Sequence, residues 1–220
     1  MLINLMIKVD MHVHTSCSPD SLIDVDDLLR TCDRNRVDCV AVTDHDTAEC
    51  ALKLHEQEPS RIIVGEEIHT TAGEIIGLFL KETIQPGLSP VETVEEIKQQ
   101  GGLVYVPHPF DRMRGSVIQQ YAIDEILQEI DIMEVFNSRS VFPWSNKRAA
   151  NFAEKNGILV GAGSDAHARY EVGNAYMLIE PFRSAEDFLK NLADAEVRAN
   201  KTPVLLNLMT KIYKMARGIR

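Results

Sequence analysis

No run of this chain approaches the roughly 20 consecutive apolar residues that a membrane-spanning helix needs, so no membrane span is expected. The opening MLINLMIK is too short for a secretory signal and carries no cleavage site, which makes a cytoplasmic protein the expectation. Cysteine is sparse and badly spaced for metal binding: Cys17, Cys32, Cys39 and Cys50 form no CxxC pair and no zinc-finger spacing. In a cytoplasmic protein all four are expected as free thiols. There is no GxSxG turn and no Cys–His signature, so nothing argues for a covalent serine or cysteine nucleophile. No internal repeat and no low-complexity linker divides the chain. Positive charge is also short. The net charge is −10; the last twenty residues hold five basic groups and no acid, so residues 1–200 stand at −15, with 18 basic against 33 acidic groups. Such a body repels a nucleic-acid backbone, which argues against long nucleic acid as a partner.

What is present is an ordinary globular composition, 45% apolar and 25% charged over 220 residues, enough for one sizeable core. Short β-like runs alternate with helical stretches. LINLMIKV, DCVAVT, RIIVGEEI, EIIGLFL, LVYVP, IMEVF, ILVGAG and AYMLI read as strands. VDDLLRTCDRN carries an apolar stripe at helical spacing, and TAECALKLHEQ, residues 117–129, WSNKRAANFAEKNG and about 184–195 are further helices. In SPVETVEEIKQQGG the punctuation is explicit: Ser89 as N-cap, Pro90 at the first helical position, Glu92 closing a capping box, and Gly101 and Gly102 as the stop. This alternation predicts an α/β fold of parallel β/α units, about seven of them, in a barrel with irregularities. The last segment, with a helix at about 204–217, is apolar on one face and basic on the other. It is expected to pack on the acidic barrel of residues 1–200 or on a partner copy in a homo-oligomer.

The polar residues fall where such a fold builds active sites. His12 and His14 end the first strand, and Asp44, His45 and Asp46 follow DCVAVT. Glu66 and Glu67 follow RIIVG, His108 follows LVYVP, Asn137 follows IMEVF, and Asp165 and His167 follow ILVGAGS. Five of the seven histidines thus stand at the C-terminal ends of predicted strands, the catalytic face of a β/α barrel. Imidazole and carboxylate together suit zinc, manganese and iron. Residues i and i+2 on a strand point the same way, so His12 and His14 can grip one ion. A carboxylate such as Glu67 can bridge two, and the number of donors favours two or three ions over one.

In this order, DMHVHT, SPDS, VTDHDT, GEEI, PHP, EVFN and GSDAH resemble the polymerase and histidinol phosphatase (PHP) family of metal-dependent phosphoesterases, over residues 10 to 167. The chain looks most similar to the stand-alone branch of nucleotide phosphatases and small oligonucleotide 5′-exonucleases. The resemblance implies an irregular (β/α)7 barrel with its metal site at the C-terminal strand ends. It implies a first ion on His12, His14, Glu67 and Asp165, a second on Glu67 and His108, and a third on Asp20, His45 and His167. Glu67 is preferred over Glu66 on the GxE register from Gly65 and on strand alternation. Asp10 would accept from a ligand imidazole, and Asp44 and Asp46 would do the same or cap the next helix. Asn137 is a departure, standing where some members carry a histidine ligand, and it leaves the count between two and three ions of manganese, iron or zinc.

The activity implied is hydrolysis of a phosphoester by metal-activated water, on a nucleotide, a short oligonucleotide or another small phosphorylated metabolite. Arg112, Arg114, Arg139 and Arg169 follow ligand strands, and guanidinium forks match phosphate. Two of the four are expected at the site, Arg112 and Arg139 first. His69 is expected as a general acid, as support for the ligands or as a structural histidine, and His55 as structural. Two rivals stand beside this reading. One is an amidohydrolase-like enzyme acting on a C–N bond, disfavoured because no lysine sits at a predicted strand end. The other is an inactive metal-binding scaffold.

Overall fold

The computed structural model describes residues 6–200. The start of the first expected strand and the basic helix expected at about 204–217 lie outside the described residues. The elements run β1 (Ile7–Val13), α1 (Val25–Asn35), β2 (Cys39–Val42), α2 (Glu49–Gln57), β3 (Ile62–Thr70), β4 (Gly73–Leu78), α3 (Pro90–Gln99) and β5 (Leu103–Val106). They continue with α4 (Gln120–Glu125), β6 (Ile132–Asn137), α5 (Pro143–Asn156), β7 (Leu159–Gly163), β8 (Ala175–Ile179), α6 (Ala185–Leu192) and β9 (Glu196–Ala199). The start and stop signals act as expected. Ser89 and Glu92 form the capping box of α3, and Gly157 ends α5 at φ 68°.

The strands form one sheet in the order β7-β6-β5-β4-β3-β2-β1-β8-β9. β1, β2 and β3 run parallel, as do β5, β6 and β7. β4 breaks the expected run of parallel units, lying antiparallel between β3 and β5. The connection explains it: only Thr71 and Ala72 separate β3 from β4, whereas a parallel crossover needs a dozen or more residues. Gly73 makes that hairpin possible at φ 116°, where a Cβ would lie 2.3 Å from the Ile118 backbone.

β7 curls back onto β1. Asp165 donates its N–H to the His12 carbonyl at 2.7 Å, and His14 donates to the Ala166 carbonyl at 3.0 Å. The barrel is therefore nearly closed, with its seam beside the HxH pair. One apolar cluster joins the strands to helices α1 to α5, and a second includes Val9, Met11, Ile76, Tyr105 and Ile132 with Phe188 and Leu192 of α6. A sheet covered on both faces explains why its strands read as near-continuous apolar runs.

The expectation of four free thiols is corrected: Cys17 and Cys50 are disulfide-bonded, with Cα atoms 6.3 Å apart, while Cys32 and Cys39 are free and buried. The parallel pairing of β1 with β2 brings the loop after β1 against the start of α2, a proximity that a sequence separation of 33 conceals. The cysteines therefore lend no support to a reducing compartment. Burial pushes the Cys32 and Cys39 thiols up to about 12. Among the described residues no helix is long and apolar enough to cross a membrane.

Candidate metal centre and active-site cleft

β1 carries Asp10 and His12, and His14 directly follows its last residue; all three are buried. The Nε2 atoms of His12 and His14 are 3.0 Å apart, and Glu67 Oε2 from β3 lies 3.4 and 3.3 Å from them. Asp165 Oδ1 lies 3.8 and 3.5 Å from the same two nitrogens. Donor atoms held about 2.1 Å from one ion are themselves about 3.0–3.4 Å apart in octahedral or tetrahedral arrangements. The spacing and the mixed imidazole–carboxylate chemistry fit a divalent ion.

The other oxygen of Glu67 faces a different partner, lying 3.0 Å from His108 Nε2 of the loop after β5. Glu67 thus divides its carboxylate between two donor groups. Glu66 points elsewhere, accepting from the Ile84 N–H at 2.9 Å. Strand alternation separates the two glutamates as expected. A third group forms at the mouth: His14, Asp20, His45 and His167 place donor atoms within 4.8 Å of one another. Asp20 Oδ2 is 3.0 Å from His167 Nε2 and 3.8 Å from His45 Nε2. All eight residues expected to hold metal are therefore brought together.

The outward nitrogens are held, which orients the inward ones. His12 Nδ1 is 3.1 Å from Glu134 Oε1, His14 Nδ1 is 3.0 Å from Ser18 Oγ, and His167 Nδ1 is 2.9 Å from the Asp165 carbonyl. Asp46, His108 and Asp165, at φ 57°, 31° and 54°, are three of the five non-glycine residues in the left-handed region among those described. Such conformations are costly and cluster at functional sites.

Several residues take roles other than those expected. Asp10 meets no imidazole: it accepts from the N–H groups of Ser164 at 2.9 Å and Gly173 at 2.8 Å, and from the Ser164 hydroxyl at 2.5 Å. It pins the barrel seam, and Glu134 of β6 supports His12 instead. Asp44 binds the Thr15 N–H and hydroxyl, both at 2.6 Å, so neither it nor Asp46 caps α2. Arg112 is corrected: it is exposed and lines a separate depression with Phe110 and Arg148. Its place is taken by Arg114, which pairs with Asp165 and donates to Asn137 Oδ1 at 3.2 Å. Arg139 lines the cleft, 3.6 Å from buried Glu171, while Arg169 pairs with Asp27 on the outer surface. His55 is structural, its Nδ1 2.6 Å from the Ile62 carbonyl.

Two acids escaped the sequence reading. Glu134 sits within the apolar run of β6, and a lone acid there is the signal that could have found it. Glu74, on antiparallel β4, is buried with Oε1 2.9 Å from His69 Nε2 and 3.8 Å from His45 Nδ1. The cleft over these groups measures about 590 Å³, within the size range of small-molecule sites.

Burial alone would lower the pKa of His12, but the Glu67, Asp165 and Glu134 carboxylates hold it well above the usual histidine value. His14, with Asp165 and Glu67 beside it, is raised against the same burial to about 9. His167 goes the other way, to about 3, through burial and the nearby Arg139 and His14 charges. His69 is raised to about 10 by its hydrogen bonds to Asp46 and Glu74.

Burial lifts Glu66 to about 8. The folded chain therefore holds a proton there that the unfolded chain releases above the ordinary value of 4.5. Stability from this group falls as pH rises from about 4.5 to 8 and levels off above it. Glu66→Gln keeps an acceptor for the Ile84 N–H and cannot ionise. It is expected to be more stable than the parent by about 1–3 kcal/mol at pH 9, with no advantage at pH 4.5. Urea midpoints at the two pH values check this; equal differences at both would sink it.

The chain was compared with known proteins. The family model described as PHP domain matches residues 10–134, and the one described as PHP-associated matches residues 143–197. An uncharacterized protein of Methanocaldococcus jannaschii, MJ0417, is 39% identical over 173 residues, which cover 77% of this chain and 69% of that one. Among solved structures, a two-domain protein from Bacteroides vulgatus containing a predicted PHP-like metal-dependent phosphoesterase superposes with a TM-score of 0.69 at 19% identity. The match covers 89% of this chain but only 65% of that one. Endonuclease Q in complex with a 27-mer duplex carrying an abasic lesion superposes at 0.62 with 14% identity, over 86% of this chain and 57% of that one. These two likenesses concern the fold. The sequence matches go further, and by them this chain belongs to the PHP family.

Proposed function

We propose that the protein is a metal-dependent phosphoesterase acting on a small phosphorylated molecule, a nucleotide or a short oligonucleotide. The observation that carries this is the division of Glu67 between the His12–His14 pair and His108, beneath a cleft walled by Arg114, Arg139 and His69. His12, His14, Glu67 and Asp165 would hold a first divalent ion, Glu67 and His108 a second, and Asp20, His45 and His167 a third. Glu74 Oε2, 3.8 Å from His108 Nε2, offers the second group the donor that Asn137 does not. Asn137 instead donates to Glu134 and Asp165 at 2.9 and 3.2 Å. Manganese, iron or zinc held there supplies an acidified water and positive charge for the phosphate oxygens.

The chain's own groups do the rest. Arg114 and Arg139 present guanidinium forks to the phosphate and orient it. His69, kept protonated between Asp46 and Glu74, adds positive charge at the open side of the cleft. A donor with its pKa near 10 gives up its proton reluctantly at neutral pH, so its part is electrostatic. Two observations favour phosphoester over C–N chemistry: no lysine lines the cleft among the described residues, and two arginines do. The acidic body favours small substrates over long nucleic acid.

The test is phosphate release by the manganese-reconstituted protein from a nucleoside 3′,5′-bisphosphate, a 5′-phosphorylated dinucleotide, histidinol phosphate and an aryl phosphate. Release is expected from the nucleotide members first, and His12→Ala is expected to abolish it. Silence across the panel with metal demonstrably bound would favour the C–N hydrolase or the scaffold.

A further inference from the structure

Six large apolar side chains stand exposed among the described residues: Leu22, Met113, Tyr121, Phe142, Trp144 and Tyr170. Scattered singly, such residues need no explanation. These are not scattered. Leu22 follows β1, Met113 follows β5, Phe142 and Trp144 follow β6, and Tyr170 follows β7, so five of the six rim the C-terminal face that carries the cleft. Phe142 and Trp144, 39% and 44% exposed, stack on each other with ring planes 21° apart and centroids 5.9 Å apart. Neither belongs to an apolar cluster of the core, so packing does not account for them.

The pair adjoins the cleft along the chain, and neither ring is part of its lining. Arg139 and Val141 of the same loop line it, as do Met113 and Arg114 from the loop after β5. Phe142 is three residues beyond Arg139, at most about 10 Å along the chain. Trp144 stands in the first turn of α5, a 14-residue helix that gives the platform a rigid base. Each loop thus offers the cleft a guanidinium and an apolar neighbour. That is the combination a ligand with an anionic head and a flat aromatic body requires.

We propose that the stacked Phe142–Trp144 pair is a nucleobase platform, receiving the base of a substrate whose phosphate lies between Arg114 and Arg139. This rests on the phosphoesterase reading and narrows its substrate to a free nucleotide or an unpaired oligonucleotide end. Every base has a π-face, so such a platform tolerates sequence and requires an unstacked base. Two side chains offer far less area than the roughly 800 Å² per partner of a stable protein interface, so a base is the occupant that fits.

Trp144 is the chain's only tryptophan, so intrinsic emission reports on this position without any turnover. The zinc-loaded full chain is titrated with adenosine 3′,5′-bisphosphate and with ribose 5-phosphate. The bisphosphate is expected to quench emission and ribose 5-phosphate to leave it unchanged. Phe142→Ala is expected to weaken the quench-derived affinity about tenfold. Trp144→Ala is expected to raise KM for the bisphosphate about tenfold more than for ribose 5-phosphate, with Trp144→Phe restoring most of the difference. Tyr121→Ala, exposed on α4, serves as the control and changes neither. Equal quenching by both ligands, or hydrolysis of the bisphosphate without quenching, overturns the platform and leaves the phosphoesterase reading standing. Selective quenching with no phosphate released from any ester upholds the platform and removes that reading instead.

Discussion

Glu67→Gln is expected to lower phosphate release by at least about a thousandfold, a loss of about 4 kcal/mol of transition-state stabilisation. The substitution preserves shape and burial. It removes the carboxylate that lies between the first two donor sets, Oε2 towards His12 and His14 and Oε1 towards His108. An amide presents one oxygen and one NH2 and carries no charge, so it cannot serve both sides. The buried histidines around it also lose the carboxylate that balances a cation there. Metal analysis of the purified variant is expected to show at least one ion fewer per chain, with circular dichroism unchanged. The neighbouring Glu66→Gln, which faces Ile84 and not the cleft, is expected to keep most of its activity. A Glu67→Gln protein retaining more than about a tenth of parental turnover would remove the bridging role. Equal losses in both variants would point to general disturbance of β3.

Gly163→Ala is expected to cost about 3–5 kcal/mol of stability and nearly all activity. A Cβ at this position would lie 2.3 Å from the Cβ of His12 and 2.9 Å from its backbone nitrogen and from Glu134 Oε1. The two His12 atoms cannot swing aside, and Glu134 Oε1 is held by His12 Nδ1 and the Tyr105 hydroxyl, so the seam between β7 and β1 must open. Opening it displaces the His12 carbonyl from the Asp165 N–H, and with them two residues of the first donor group. Gly115→Ala, with no atom within 4 Å of the added carbon, is the matched control and is expected to be silent. Urea denaturation of the two variants reads the difference. A Gly163→Ala protein within about 1 kcal/mol of its parent would mean that the barrel does not close as tightly as described.

How much of this was legible in the residues follows from the kind of order each feature obeys. The placement of His12, His14, His45, His108, Asp165 and His167 at or just past strand ends was readable because strands and their termini are local. Period-two alternation puts Glu66 and Glu67 on opposite faces, and the GxE register from Gly65 selects Glu67 for the cleft. Capping at Ser89 and the stop at Gly157 are local too. Asp20 was a different case. Nothing periodic governs the loop after β1, and only the family resemblance brought that residue to His167.

The features that tertiary structure alone decided all depend on distance across the barrel or on loop path. Glu134 meets His12 because β6 and β1 lie on either side of β7, and Asp10 turns to Ser164 because the residue after β7 offers it both an N–H and a hydroxyl. Glu74 enters the cleft because a two-residue connection forces β4 antiparallel, setting it opposite His69. Arg114 displaced Arg112 in a loop without periodicity, where two positions of register exchange cleft for solvent. Cys17 and Cys50 met because neighbouring parallel strands deliver their loops to the same end of the barrel. The sequence by itself determined which residues stand at which strand end. The curvature that closes the sheet decided which of them touch, because contacts across a barrel leave no trace in the local period of any one strand.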